Sequence, residues 1–551
     1  MLRGAIPRCM ATRIESSPST EARHGTAQKP RLLYFNGPWD YLGDRIIAAY
    51  IEPFRRLLDQ DFEVVSIEGD ADFAQEVERH RPEMVLFHSG TESRLEKEVT
   101  ITHTSAYREI PRAGYIYRDP MSPSRTAAMN RLRDWGVQQI FTCFRPSDSP
   151  IPFFEDTIYL PWWVDDRVFR DYGEKKTIPI SLTGSGWLSD KYFYVWRHPI
   201  LQKLLQYLPV YHVPVFETHQ SDHIYIGERY ARLLNRSQFS GGCGSVSRFV
   251  TLKPLEIPAS RCCLITEETQ AFKALGFVDG ENCVFATPEN VATKVQALLD
   301  DPVRLHAITD AGYALVHGRH TQRQRRHFAE WFSLRRVKRP DQRIVQTNPF
   351  APPQLIDANE PRPSYTFPSE NPLAERLVEG YRLIGSAKWK EALDQFDWVL
   401  RIIGYVAEAR LGSAICHMRL GRPAAALEHL MQNAATHQLQ GNYRKPDVVN
   451  LSFLAAALVG THQVEKGASI ICSLSDWKHP ALNALAWLLA CRFPRLVQVS
   501  PIFAVQEGDE SCTVETVHML PSMSFAQWLG MWTQLLQPSA QTLPIRRPCR
   551  P

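Results

Sequence analysis

The 551 residues contain no apolar run near the roughly 18–20 needed to cross a bilayer. The longest candidates, Val448–Val459 and Ala481–Ala490, are shorter and read as buried helices. An excess of charge of one sign is also missing: 63 Lys and Arg against 59 Asp and Glu leave a net charge of +4. Over this length that balance argues against a nucleic-acid partner or a membrane surface. The eleven cysteines form no Cys-x-x-Cys pair and their number is odd, which argues against a disulfide framework and against structural zinc. Most of the thiols are expected as small core side chains, and a reducing cytoplasm as the compartment. The first thirty residues are polar, carry Arg and lack an apolar stretch, so they do not form a secretory signal. Residues 1–30 are expected to be a disordered leader.

What is present is the composition of an ordinary folded chain, 44% hydrophobic and 22% charged. At roughly 150 residues per domain, the length suggests three or four units. From Arg31 onward, short apolar runs alternate with amphipathic stretches. Arg31–Phe35, Phe62–Ile67, Met84–His88, Ala113–Tyr117, Gln139–Thr142 and Thr157–Leu160 read as strands, with helices at Asp44–Leu58 and Ala71–His80. A charged hinge, Asp165–Lys176, precedes a second series. Strands are expected at Ile178–Thr183, Val210–Val215, Cys263–Thr266 and Cys283–Ala286. Helices are expected at Trp196–Tyr207, Glu228–Asn235, Val291–Leu299 and Arg304–Val316, and a basic helix from His320 to about Val337. Nearly uniform apolar strands separated by helices predict parallel sheets covered on both faces. The expected fold class is therefore α/β, with two Rossmann-like lobes over 31–165 and 166–337, and ligands at the carboxyl ends of the strands. Eight prolines between Lys338 and Pro372 predict an extended linker over 338–372.

Beyond the linker the pattern turns helical. Trp389-Lys390-Glu391-Ala392-Leu393-Asp394-Gln395-Phe396 recurs 34 residues later as Pro423-Ala424-Ala425-Ala426-Leu427-Glu428-His429-Leu430, and a looser copy follows around Lys466-Gly467-Ala468. That period predicts an all-α tetratricopeptide-like domain over 373–496, with a C-terminal extension over 497–551. Such an array would offer a surface for a protein partner or acceptor.

The densest cluster of chemical signals lies between Tyr230 and Arg325. A glycine-rich stretch, Ser240-Gly241-Gly242-Cys243-Gly244-Ser245, precedes Lys253-Pro254-Leu255-Glu256-Ile257-Pro258-Ala259. A strand ending in Thr266-Glu267 follows, and His320-Thr321-x3-Arg325 closes the region. A carboxylate at Glu256 can accept both hydroxyls of a ribose. A helix opening at Pro254 directs N–H groups at a diphosphate, and Lys253 adds positive charge there. Gly184-Ser185-Gly186 leaves the strand before it and can bring backbone amides to a phosphate. Thr266 closes its strand on the same edge, and Arg197 is a second candidate cation. In the first lobe Asn36 and Gly37 leave the first strand, His88 the third and Asp119 the fourth. His88 or Asp119 is expected to face the cleft and serve as a base toward an acceptor hydroxyl. His219-x3-His223 has metal-like spacing but no third ligand nearby, so no metal site is expected. Trp162-Trp163 is expected to pack at the hinge between the lobes, and Arg325 to tie the basic run 319–326 to the core.

These motifs, in this order, resemble the CgeB-type (spore-maturation-protein-like) glycosyltransferases, relatives of the group 1 glycosyltransferases. The resemblance covers 157–332 well, the first lobe weakly and the helical region not at all. It implies a GT-B fold and transfer of a sugar from a nucleotide-sugar donor without a metal or other cofactor. Gly184, Ser185, Arg197, Lys253, Glu256 and Thr266 would lie on the donor side. Two departures stand out. Arg248 takes the place of a first Glu common in group 1 enzymes, and Arg261 that of a common glycine. Arg261 favours an alternative expectation, a degenerate transferase acting as a scaffold through its helical domain. A nucleotide-sugar epimerase would share the lobes but has no motif of its own here.

Overall fold

The computed structural model describes residues 29–37, 50–88, 99–116, 121, 125–144, 157–184, 194–213, 225–348, 350–361, 363, 370–439, 446–497 and 518–536. The first lobe contains β1 (Arg31–Asn36), β2 (Glu63–Glu68), β3 (Ala71–Asp72), β4 (Met84–His88), β5 (Ile101–Thr102), β6 (Arg112–Ile116), β7 (Gln139–Thr142) and β8 (Thr157–Tyr159). Six of them form one parallel sheet in the order β2-β1-β4-β6-β7-β8, and β3 and β5 pair separately. The apolar runs are the reason: β1, β4 and β6 are buried almost throughout, which requires cover on both faces. One face packs Leu32, Tyr34, Met84, Leu86 and Phe141, the other Leu33, Phe35, Val85 and Phe87.

The second lobe contains β9 (Ile178–Thr183), β10 (Val210–Val213), β11 (Ser237–Gly241), β12 (Cys263–Thr266) and β13 (Val284–Phe285), parallel in the order β10-β9-β11-β12-β13. The first two residues of the glycine-rich stretch, Ser240 and Gly241, thus close a central strand. Its small residues suit the place. A methyl on Gly241 would meet Leu182 at 2.5 Å, and one on Gly242 would meet the Pro254 backbone at 3.1 Å. Helix Pro302–Arg319 starts on Pro302 behind an Asp301 cap that accepts from Arg304 N–H at 3.1 Å.

Two expectations are corrected. The basic stretch from His320 is not one helix: a short 3-10 turn precedes helix His327–Val337. That helix does not finish the second core. Its Phe328, Trp331 and Phe332 enter the first lobe's core, with Phe328 4.4 Å from Phe141 between ring centres. The proline-dense stretch is more than extended chain. β14 (Gln342–Val345) pairs antiparallel with β15 (Gln354–Asp357), the prolines standing between and around the strands. Buried Gln346 brackets the backbone of Tyr159, accepting from its N–H at 2.9 Å and donating to its carbonyl at 3.0 Å.

A helix-rich region follows, starting at Pro372–Gly385 with Asn371 as its cap. Trp389–Ile402, Ala407–Arg419, Pro423–Leu439, Val448–Gly460, Val464–Ser473 and Pro480–Arg492 come next, and Phe525–Leu535 closes it. Consecutive helices of the run up to Ser473 pack on one another. Gly380 and Gly412 lie against the Phe396 ring, where any side chain would clash, so small residues set the helix spacing. The 34-residue spacing holds between the helices opening at Trp389 and Pro423, but the next helix of that kind opens at Val464, a longer step. Among the described residues, no helix is long and apolar enough to cross a membrane.

Candidate functional site

The carboxyl edge of the second sheet gathers the candidate groups. β9 ends at Thr183, and Gly184 follows with φ +123°, a conformation that side chains disfavour. A Cβ there would lie 2.7 Å from Arg197 Nη1 and 2.8 Å from Lys253 Nζ. Two cations therefore converge on a backbone with no side chain. Lys253 Nζ donates to the Thr183 carbonyl at 2.8 Å. Arg197 opens helix Arg197–Tyr207, and its guanidinium lies 3.9 Å over the Tyr194 ring centre. His212, near the end of β10, joins them. Burial, more than the nearby cations Arg197 and Lys253, holds its pKa below the ordinary value, while a hydrogen bond to the Gly184 backbone opposes this. It is neutral at pH 7, so Arg197 and Lys253 carry the positive charge. Gly184→Ala is expected to cost on the order of 1–3 kcal/mol of stability, because alanine would be held at a φ it disfavours. The same methyl would push both cations aside, so the binding of a nucleoside diphosphate, read by calorimetry, should weaken more than tenfold.

Lys253 and Glu256 stand three apart on helix Lys253–Ala259. Pro254 sets its start, and the helix packs on β11 through Gly242. Glu256 is only 8% exposed. Its negative charge is one cause, after burial, of the upward shift of the Tyr230 phenol. Tyr230 OH in turn lies 3.0 Å from Thr183 Oγ1. Glu256 is thus on the Thr183–Tyr230 side of the edge rather than in bulk water. Thr266 closes β12 fully buried, and its hydroxyl finds no hydrogen-bond partner among the described residues.

The next residue, Glu267, was not singled out from sequence. It is 9% exposed, and Oε1 accepts from Gly244 N–H at 2.9 Å. Burial pushes its pKa up to about 7, against the pull of the Gly244 hydrogen bond, Arg248 and Arg197. An acidic side chain straight after an apolar strand reads as solvated; only the folded loop shows that the 244–248 turn covers it. His212 and Cys243 were also missed. Cys243 is buried beside Arg197, and burial raises its thiol.

The first lobe contributes differently from what was expected. Asn36 is buried at the end of β1 and Gly37 half-buried after it. His88 does not face the cleft. It is 6% exposed, its Nδ1 lies 2.9 Å from Tyr34 OH, and it stacks with Phe54 at 5.4 Å. Period-two alternation along β4 puts His88 on the Met84–Leu86 face, which is core. Asp119, Ser185 and the pair His219 and His223 lie outside the described residues. Among the described residues no group of three His, Cys, Asp or Glu is placed to hold a metal ion. The two carboxyl edges do meet: Phe144, just past β7, packs edge-on against Phe249 at 5.1 Å, in the loop that leads to Lys253.

Trp162 and Trp163 are buried at the junction, one in each lobe's core. Arg261 occupies a left-handed conformation (φ +58°), where glycine is the usual choice. It stands at the amino end of β12, opposite the edge that carries Thr266. There it pairs with Asp171 and Asp310 and lies 4.4 Å over the Tyr313 ring centre. Its side chain does not occupy the cationic edge.

Residues 167–330 match the family described as Glycosyl transferase-like. The matched span holds both cations, Glu256 and the buried Glu267. No curated protein matches the chain. Among solved structures, Anabaena HepE in complex with UDP and glucose is similar at 12% identity, over 55% of this chain and 99% of that one, with a TM-score of 0.36. The C-terminal domain of the LpcC glycosyl transferase group 1 family protein from Francisella tularensis is 17% identical over 29% of this chain and 98% of that one, TM-score 0.22. Sucrose-phosphate synthase from Thermosynechococcus elongatus is 11% identical over 56% and 100%, TM-score 0.33.

Proposed function

We propose that this protein is a glycosyltransferase of the GT-B, CgeB-like type that moves a sugar from a nucleotide-sugar donor to a hydroxyl-bearing acceptor. The observation that carries this reading is the convergence of Arg197 and Lys253 on bare Gly184, inside the span that matches the family. Two fixed cations at a strand end suit a diphosphate, whose charge grows as the sugar departs. The bond from the anomeric carbon to the diphosphate oxygen breaks, a bond to the acceptor oxygen forms, and the acceptor proton passes to a base. Glu256 would take the ribose hydroxyls, with Ser185 and Thr266 lining the donor site. Asn36 and Gly37 would border the acceptor side, with Asp119 the remaining candidate base, since His88 is committed to Tyr34. The cationic pair would let the reaction run without a metal or other cofactor, so activity should survive EDTA. We place the enzyme in the cytoplasm, with the helical region as a tetratricopeptide-like dock for a protein acceptor or partner. The scaffold alternative rested on Arg261, which lies at the other end of the sheet from the cations.

The test pairs binding with turnover. Nucleoside diphosphates at 100 times Kd should stabilise the protein by about 2.7 kcal/mol by mass action. Glu256→Ala should lose most of that gain. A panel of nucleotide sugars should release nucleoside diphosphate with at least one member. No stabilisation by any nucleotide, together with no release, would sink the reading.

A further inference from the structure

Glu370 stands two residues before the first helix of the helical region and reaches back to the second lobe. Its Oε2 accepts from Gln270 N–H at 2.7 Å, the first residue of helix Gln270–Ala274. Its Oε1 lies 3.9 Å from Arg248 Nη1. Arg248 has a left-handed backbone (φ +54°), and its N–H donates to the Ser245 carbonyl at 2.8 Å, closing the tight turn Ser245–Arg248 that follows Gly244. That turn is held from two sides. Gly244 N–H binds Glu267, while Val246 joins the core of Leu373, Ala374 and Leu377 at the start of the helices. A methyl on Gly244 would meet the Phe249 carbonyl at 2.5 Å, so the turn has no slack. Glu267 therefore sits under a loop whose far side belongs to the helical region.

We propose that Glu370 is a positioning residue for the donor site. Acting through Arg248 and the Gly244–Val246 turn, it sets where the Glu267 carboxyl lies and how much negative charge it presents beside Arg197. This rests on the donor reading of the site. The charged and titratable groups that act on Glu267 are Arg248 and Cys243 from the loop, Arg197 from the helix after β9, and Glu370 from the root of the helical region. Arg197 and Arg248 favour the ionised form; burial and Glu370 favour the acid. An ionised Glu267 opposes an incoming diphosphate, and a neutral one does not. The root of the helices thus governs the pH range over which the second lobe accepts an anionic donor.

Calorimetric titration of the full chain with UDP, GDP and ADP between pH 5.5 and 9 tests this. Glu267→Gln is the reference, because its profile lacks the Glu267 titration and keeps that of the nucleotide and of the other groups in the site, His212 among them. Relative to it, wild-type affinity should fall about tenfold as pH rises through about 7. In Glu370→Gln that fall should move to lower pH by about half a unit, because one negative charge is gone and Arg248 is released toward Glu267. In Arg248→Gln it should move to higher pH. Opposite displacements from two neighbouring neutralisations separate positioning from general damage, which would lower affinity evenly at every pH. A Glu370→Gln profile that superimposes on wild type, with nucleotide still bound, would overturn this inference alone. Wild-type protein that binds no nucleotide at any pH would overturn it together with the glycosyltransferase reading.

Discussion

Lys253→Met is expected to lower turnover of a nucleotide-sugar donor by about 100-fold, the scale lost when one fixed charge-stabilising donor leaves a developing anion. The ammonium is anchored by the Thr183 carbonyl and aimed at the same point as Arg197. Nothing need reorganise when negative charge grows on the departing diphosphate. That charge is larger in the transition state than in the bound donor, so kcat should fall more than KM rises. A change confined to KM would mean that Lys253 grips donor and transition state alike. Arg197→Met should act in the same sense, and the double variant should lose less than the product of the two, because both serve one oxygen cluster. Thermal stability should change little in Lys253→Met, since methionine keeps the packing stem. A variant that keeps full kcat would remove Lys253 from the chemistry.

The contrast between what can be read from sequence and what cannot follows from range. Ile178–Thr183 and Cys263–Thr266 are found at the residues predicted, because a continuous apolar run bounded by polar residues has one plausible form in a covered sheet. β11 escapes that logic. Ser237-Gln238-Phe239-Ser240-Gly241 is short of apolar bulk, yet it is a central strand: Phe239 fills the core, and Leu182 leaves no room for a side chain at Gly241. Helix His327–Val337 shows another limit. Its aromatic residues announce burial but not the partner, and the partner is the sheet of the first lobe, built from residues 31–159. At the site, Lys253 and Glu256 are readable together because they share one turn of helix. Their meeting with Gly184, Arg197 and His212 depends on three strand ends brought side by side by the parallel order. His88 is the instructive failure: being last in a strand places a residue at the edge, but alternation decides which face it takes.

Arg325→Met is expected to lower stability by about 3 kcal/mol or more, seen as a fall of several degrees in Tm. Arg325 is 5% exposed and joins the lobes. Nε donates to the Pro161 carbonyl at 3.0 Å, Nη2 to the Trp162 carbonyl at 3.1 Å, and Nη1 to the Arg319 carbonyl at 3.0 Å. Nη2 also lies 3.1 Å from His320 Nδ1, whose other ring nitrogen is 2.7 Å from the Leu275 carbonyl. Removing the guanidinium strands the buried Pro161 and Trp162 carbonyls, each costing on the order of 1–3 kcal/mol before relaxation, and takes a donor from the part-buried Arg319 carbonyl. Arg325→Lys should recover little, because one ammonium cannot serve a planar fork of carbonyls. The same clasp gives the junction a pH dependence. Burial holds His320 and His327 down to about 3, below the ordinary 6.5. The unfolded chain therefore binds protons on these rings that the folded chain refuses, so their stabilising contribution is full above about 6.5 and lost progressively as pH falls toward 3. Unfolding midpoints measured from pH 8 to pH 4 should show wild type losing stability in that window. His320→Gln, which keeps a polar group without the titration, should lose less of its own stability over the same span. An acid slope identical in both proteins would take His320 out of the account.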